Sequence, residues 1–452
     1  MLIAGVLLIS FLGMAIAQTT FEYTKEAVSD QVVELPGLTY TPEFNQFSGY
    51  IKLNGTEKNI HYWMVEAETN PANAPLVFWT NGGPGCSGLI GFMTEQGPFR
   101  PDVNGNILPN EYAWNKVANM VFLEQPVGVG FSYSNNNADY KIGDDQAAKD
   151  NLATILGVIE RFPHFNNSKV YITSESYGGH YMPTLANEII NYNDATPINK
   201  LNFGGFAVGN PYTDYYSGVG AEMETYWGKQ LLPKPLWDRY VSNGCLNTDQ
   251  QLNNSACTDL MLDFMKKIGN LNPYALDYPV CLSSQQRMMH SFVHDQSSTY
   301  EPCEDQFSTN YLNNMDVKKA IHVRTDIAWE ECSRTTKYKM ADKMIPMEKY
   351  YTKILNSKTH PDLQVLVYSG DDDGVCGTVG TQRWIYDLGF PVKKLWNTWE
   401  VDGQTAGYTT DFETPGGKDS RFTFTTVHFA GHEVPTYKPK EALELFKTYL
   451  AK

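Results

Sequence analysis

Six short apolar runs spread along the chain constrain its fold more than any other feature. They are LVFWT (76–80), MVFLEQP (120–126), VYITSES (170–176), FGGFAVGN (203–210), LQVLVYSGD (363–371) and FTFTTVHFAG (422–431). Each has the length of a strand and is dominated by apolar or β-branched side chains. Helix-patterned sequence lies between them. In DDQAAKDNLATILGVIERF, Leu152, Ile155, Leu156, Ile159 and Phe162 recur at helical spacing. Buried strands alternating with helices imply a mainly parallel sheet covered on both faces. With 452 residues, 42% of them hydrophobic, the chain has room for one large α/β domain with an insertion, or for two domains.

The middle of the chain differs. From about Tyr212 to Tyr311 the strand runs stop, segments such as SACTDLMLDFMKKIGNL look helical, and Cys245, Cys257, Cys281 and Cys303 appear. This reads as an insertion, 212–311, forming a disulfide-tied helical cap over a core of 18–211 and 312–452. The first residues are apolar from Leu2 to about Ala17, and Ala15-Ile16-Ala17 has the form of a signal-peptidase site. Residues 1–17 are therefore expected to be a signal peptide. The run is short for a membrane span, and no later segment is long and apolar enough. Seven cysteines and sequons at Asn54, Asn166 and Asn253 fit a secretory, oxidising route. A formal charge of −16 with no basic run argues against nucleic acid as a partner.

VYITSESYGGHYMP (170–183) raises a catalytic question. Apolar strand, small residues and Gly178-Gly179 outline a strand-to-helix turn that would expose Ser176, yet Ser174 stands where a G-x-S-x-G elbow has glycine. A nucleophilic serine needs a base, and the base an orienting acid, each beyond a later strand. The run 363–371 leads into Asp371, Asp372 and Asp373, and the run 422–431 leads into His432. The other histidines precede the serine (His61, His164), follow it on a helix (His180), fall in the insertion (His290, His294), miss a strand exit (His322, His360) or sit within a strand (His428). The H-x-x-x-H pairs 290/294 and 428/432 lack the H-E-x-x-H pattern, so no metal and no cofactor is expected. NGGPGCSG (81–88) supplies a glycine-rich turn without the G-K-[ST] ending of a phosphate loop. The N–H groups of Gly83 and Tyr177 are the expected oxyanion donors.

At this point the chain resembles the serine carboxypeptidases over nearly its whole mature length. The resemblance is carried by LVFWTNGGPGCSGLIGFMTEQGPF, FLEQPVGVGFSYS, SESYGGHYMP, FAVGNPYTD, YLNNMDVKKAIHV, YSGDDDGVC and AGHEVP, in the family's order. It implies an α/β-hydrolase core with a mainly parallel sheet flanked by helices, an inserted helical cap, and release of single residues from peptide C-termini. It selects Ser176, Asp373 and His432 as the triad, with Asp371 the runner-up for the acid. It makes Cys376 a free thiol near the site, and pairs Cys86–Cys332, Cys245–Cys257 and Cys281–Cys303. Asn81, Gly82, Glu95 and Glu175 become the receptor for the substrate's terminal carboxylate. Glu433 would line the pocket for the departing residue, unless it faces solvent or pairs with a cation such as Lys438. The implied partners are peptide or protein C-termini; a homodimer is compatible with the sequence, and the final address is extracellular, lysosomal or vacuolar. An acyltransferase on the same scaffold and a non-enzymatic protective or binding role are the alternatives.

Overall fold

A computed structural model of the chain describes residues 21–198, 200–282, 300–415 and 421–452. The expected signal peptide, His290 and His294 lie outside the described residues. An eleven-stranded sheet forms the centre. Its strands are β1 (Gln46–Lys52), β2 (Lys58–Val65), β3 (Leu76–Thr80), β4 (Asn119–Leu123), β5 (Tyr133–Ser134), β6 (Val170–Glu175), β7 (Phe203–Gly209), β8 (Gln364–Gly370), β9 (Val392–Val401), β10 (Gln404–Phe412) and β11 (Phe422–Val427). Across the sheet the order is β1-β2-β4-β3-β6-β7-β8-β11-β10-β9, with β5 paired to β2. The six strands from β4 to β11 in that order are parallel and correspond to the six apolar runs. Antiparallel strands extend both edges.

Period-two alternation along the parallel strands sends side chains into two core layers. Leu76 and Phe78, Val170 and Ile172, and Val365 and Val367 pack on one face, against helices Asp144–Arg161 and Gly178–Ala195. Val77 and Trp79, Tyr171, and Leu366 and Tyr368 pack on the other, against Leu89–Thr94 and Pro439–Leu450. Because β3, β6, β7, β8 and β11 run the same way, their carboxyl ends meet at one edge: Thr80 lies beside Ser174, Glu175 beside Gly209, and Gly370 beside Val427. Loops that bring chemistry to one place must leave from this edge.

A third apolar cluster stands apart from the two sheet layers. Met223, Tyr226, Leu236, Tyr240, Leu260 and Phe264 form it, from helices Glu222–Gly228, Lys234–Ser242 and Ser255–Met265. Disulfide Cys245–Cys257 lies within it, and Cys281–Cys303 ties the end of the same region. Helix Glu304–Leu312 returns to the main body, placing Tyr311 and Leu312 in the second sheet layer. No helix among the described residues is long and apolar enough to cross a membrane. Asn54, Asn166 and Asn253 are all exposed.

Candidate active site

Strand β6 ends in a turn whose backbone is left-handed at Ser176, with φ of 58°. For a residue bearing a Cβ this conformation costs about 1–3 kcal/mol and must be held by its surroundings. The Ser176 N–H donates to the Gly209 carbonyl at 3.0 Å, and the Ser176 carbonyl accepts from Tyr212 at 2.7 Å and Gly179 at 2.9 Å. Close neighbours have no side chain. A Cβ on Gly82 would fall 2.4 Å from the Tyr177 nitrogen and 2.8 Å from Ser176 Cβ; one on Gly179 would fall 2.3 Å from the Tyr212 carbonyl oxygen.

Ser174 fits the turn because Gly178 faces it. A Cβ on Gly178 would lie 2.2 Å from Ser174 Oγ. The space that this glycine leaves open holds the serine side chain, whose hydroxyl donates to the Thr80 carbonyl at 2.6 Å. The elbow thus keeps its tight packing without its first glycine.

His432 and Asp373 arrive from the ends of β11 and β8. His432 Nδ1 bonds Asp373 Oδ2 at 2.7 Å, leaving Nε2 as the ring nitrogen directed away from the acid. Asp373 also accepts from Asn210 Nδ2 at 2.8 Å and from the backbone N–H groups of Val375 (2.7 Å) and Cys376 (3.1 Å). Asp371 points elsewhere, with Oδ2 2.6 Å from His428 Nδ1 and Oδ1 accepting from Phe429 N–H. Ser176, His432 and Cys376 line one cleft of about 530 Å³. The Cys376 thiol is buried, which pushes its pKa up and keeps it protonated. Asp373, Cys376 and His432 are close enough to suit a metal, but the four donors already on Asp373 account for the arrangement. A second serine–histidine–carboxylate row, Ser48–His61–Glu124, is fully buried, and Ser48 Oγ donates to the Ile321 carbonyl.

Residues 273–277 brace the loops that carry Asp373 and His432. Segment 273–277 bonds both loops through backbone groups: His432 N–H to the Tyr274 carbonyl (2.6 Å), Gly374 N–H to Pro273, and Leu276 N–H to Asp372. The Tyr274 ring stands edge-on to the imidazole at 5.0 Å. Lys229 bonds both Asp372 and Asp277, and Asp372 Oδ2 accepts from Asp277 N–H. Burial pushes the Asp372 carboxyl up to about 6, against the pull of Lys229. Neither Lys229 nor Tyr274 stood out in the sequence; Asp372 stood there only as one of three aspartates, and Asn210 only by its place at the end of an apolar run in FAVGNPYTD.

On the other side of Ser176 two carboxyls are buried together. Asn81 Nδ2 donates to Glu95 Oε1 at 2.8 Å and Glu175 Oε1 at 2.9 Å, so the two acids share one amide, and Glu95 Oε2 is buried without a partner among the described residues. Trp79 Nε1 and Gly91 N–H donate to Asn81 Oδ1, which fixes the amide's orientation. Burial raises Glu95 to about 7, with Asn81 opposing; it raises Glu175 well above the ordinary range, helped by the Glu95 and Glu433 charges. Glu433 lines the same cleft. Burial, then the charges of Asp305, Glu95, Glu304 and Glu331, raise its carboxyl too. Lys438 lies over the Phe429 ring instead of pairing with it. Disulfide Cys86–Cys332 anchors the glycine-rich turn, and neither Gly83 N–H nor Tyr177 N–H has an acceptor among the described residues. A larger depression of about 930 Å³, lined by Tyr133, Arg324 and Lys337, contains none of these groups.

A family model described as serine carboxypeptidase matches residues 36–452. The chain belongs to the serine carboxypeptidase family. It is 36% identical to serine carboxypeptidase-like 25 of Arabidopsis thaliana over 454 residues, covering 94% of this chain and 92% of the relative. Serine carboxypeptidase 24 of the same plant is 34% identical over 468 residues, with 98% and 97% covered. Among solved structures, Kex1(delta)p, a prohormone-processing carboxypeptidase from Saccharomyces cerevisiae, superposes with a TM-score of 0.78 at 20% identity, over 94% of this chain and 96% of that one. At that identity the likeness shows the fold, an α/β-hydrolase.

The packing of Ser174 against Gly178 generates a prediction. Gly178→Ala should lower stability by about 1–3 kcal/mol through overpacking and slow fluorophosphonate labelling of Ser176 by about tenfold or more. Adding Ser174→Gly should restore most of both losses. Thermal unfolding and labelling rates check this; a double variant no better than Gly178→Ala would show that the two side-chain positions do not share one space.

Proposed function

We propose that the protein is a serine-type carboxypeptidase that removes single C-terminal residues through an acyl-enzyme on Ser176. The observation that carries this reading is the buried Asn81–Glu95–Glu175 group beside the nucleophile. A serine hydrolase that accepts internal bonds has no need of it. A protonated carboxyl donates a hydrogen bond where a carboxylate would repel, so this group recognises a free C-terminus. Gly82 N–H is a further donor. Both Nδ2 protons of Asn81 are directed at the two acids, so a bound substrate must take over one of these contacts. The same group disfavours an acyltransferase, whose acyl donor brings no terminal carboxylate to this position.

In the proposed reaction Asp373 holds the Nδ1–H tautomer of His432, and Nε2 accepts the proton of Ser176 Oγ as the oxygen attacks the last peptide carbonyl. The N–H groups of Gly83 and Tyr177 hold the oxyanion. His432 then gives the proton to the leaving amine, and water attacks the acyl-enzyme by the same route. The inserted region, 212–311, is proposed as the cap that closes the cleft, with core residues 18–211 and 312–452 beneath. Disulfides and the expected leader favour the secretory pathway, extracellular or vacuolar/lysosomal.

Ser176→Ala and His432→Ala should each lower kcat by about 10³-fold or more with unfolding curves unchanged. Asp373→Asn should approach that loss, whereas Asp371→Asn should change kcat less than about threefold, since among the described residues the Asp371 carboxyl bonds His428 and Phe429 N–H. Stopped assays on all four variants check the assignment; equal losses at the two aspartates would contradict it.

The acid pair sets a pH dependence. Both carboxyls are raised, so the pair stays protonated through mildly acidic pH and ionises as pH passes about 7, where Glu95 titrates. KM for peptides should therefore rise above that point. The kcat/KM for an ester substrate without a free carboxylate should not fall over the same range. Parallel profiles for the two substrates would contradict the receptor role.

Glu433 and its acidic neighbours favour a basic departing side chain. Peptides ending in Arg should exceed those ending in Leu in kcat/KM by about tenfold when Glu433 is ionised. Because its carboxyl is raised, the Arg/Leu ratio should grow as pH rises and shrink as pH falls. Glu433→Met should bring the ratio close to one; an unchanged ratio would remove the residue from substrate selection.

A further inference from the structure

The cleft is electrically lopsided. The charges that raise Glu433 come from Asp305, Glu95, Glu304 and Glu331, so the acids gather at the end where the departing residue would sit. Lys343 is the one lysine or arginine lining the cleft among the described residues. Its ammonium lies 5.9 Å from the centre of the Tyr177 ring, the residue that follows the nucleophile. Its carbonyl accepts from Tyr212 Oη at 3.2 Å, and the Tyr212 N–H holds the Ser176 carbonyl. Lys343 is thus attached to the nucleophile's own loop. It also lacks a counter-ion: the neighbouring Asp342 accepts from Asp144 N–H, and no ion pair among the described residues includes Lys343. Burial alone acts on its ammonium, and lowers its pKa from the ordinary lysine value. A half-buried cation with no anionic partner among the described residues, lining the cleft, is a charge that the fold leaves for something else to neutralise.

The carboxypeptidase reading, on which this inference rests, says where that partner lies. With the terminal carboxylate at Glu95 and Glu175 and the last side chain towards Glu433, the acyl part of the peptide must run across Ser176 to the opposite wall. Tyr212 and Lys343 line the cleft there, joined to Ser176 through the Tyr212 N–H and hydroxyl. We propose that Lys343 selects the penultimate residue of the substrate, favouring peptides with an aspartate or glutamate side chain there. Its position over an aromatic ring keeps the ammonium from swinging into solvent and supplies a cation–π contact that holds it at the cleft. A lysine or arginine at the penultimate position would meet a like charge in partly shielded surroundings and be disfavoured.

The test uses the full chain and three blocked dipeptides with a constant leaving residue: benzoyl-Glu-Leu, benzoyl-Gln-Leu and benzoyl-Lys-Leu, at about pH 6, where a glutamate side chain is ionised. Wild type should hydrolyse the Glu substrate with kcat/KM about five- to tenfold above Gln, and Lys below Gln. Lys343→Met should bring the Glu/Gln ratio to about one, Lys343→Arg should keep it, and Lys343→Glu should reverse the order of Glu and Lys. The ratio for peptides ending in Arg and Leu should stay unchanged in all three variants. Cleavage of all three dipeptides with the same ratios in wild type and Lys343→Met overturns this inference alone. Cleavage of none, by protein whose Ser176 still reacts with a fluorophosphonate, overturns the carboxypeptidase reading and this inference with it.

Discussion

The left-handed backbone at Ser176 is the constraint around which the rest of the site is arranged. It lifts one side chain off the end of a buried strand, and it persists only because neighbouring chain segments press against it. Gly82 touches the Tyr177 nitrogen, Gly179 touches the Tyr212 carbonyl, and Gly209 on the next strand receives the serine's N–H. The parallel sheet makes those contacts available by delivering β3, β6 and β7 to one edge in register. The same turn carries Gly83, whose N–H, like that of Tyr177, has no acceptor among the described residues. Strain, close packing and the proposed oxyanion hole are therefore one arrangement, not three separate features.

Burial does a second kind of work in the same cleft. Carboxyl groups removed from water resist ionisation, and here the side-chain donor shared by Glu95 and Glu175 is a neutral amide, while the Arg100 guanidinium, which bonds the Glu95 backbone carbonyl, only partly offsets burial. Had arginine stood at Asn81, the pair would be ionised and would repel a C-terminus. Trp79 and Gly91 matter for this reason, because they hold the amide with its donors towards the acids. The cleft is lined by Glu175, whose carboxyl burial raises, by Glu304, Asp305, Glu331 and Glu433, and by Lys343.

Much of this was legible in the chain. The six parallel strands were visible because each is buried on both faces and so dominated by apolar side chains. Antiparallel β9 was not, since almost all of VKKLWNTWEV is exposed and its pattern resembles neither a core strand nor a helix. Strand β2 was obscured by Lys58, Asn59 and His61, although its polar residues are largely buried: Lys58 pairs with Asp150, and His61 bonds Glu124. At the site, motif order pointed to Ser176, to the aspartate cluster and to His432, and geometry shows which aspartate meets the histidine. The compensation between Ser174 and Gly178 depends on two side-chain positions facing each other across a turn, which no linear pattern displays. Lys229 and Tyr274 fall within residues 212–311 and Lys343 after them, where no motif announced a role for any of the three.

The most direct measurement of the central claim follows single-residue release by mass spectrometry, using one peptide as the free acid and as its C-terminal amide. The account predicts a ladder of products shortened by one residue at a time from the free acid, little product from the amide at mildly acidic pH, and neither with Ser176→Ala. Internal cleavage, or equal turnover of acid and amide, would contradict a site built to receive a C-terminal carboxylate.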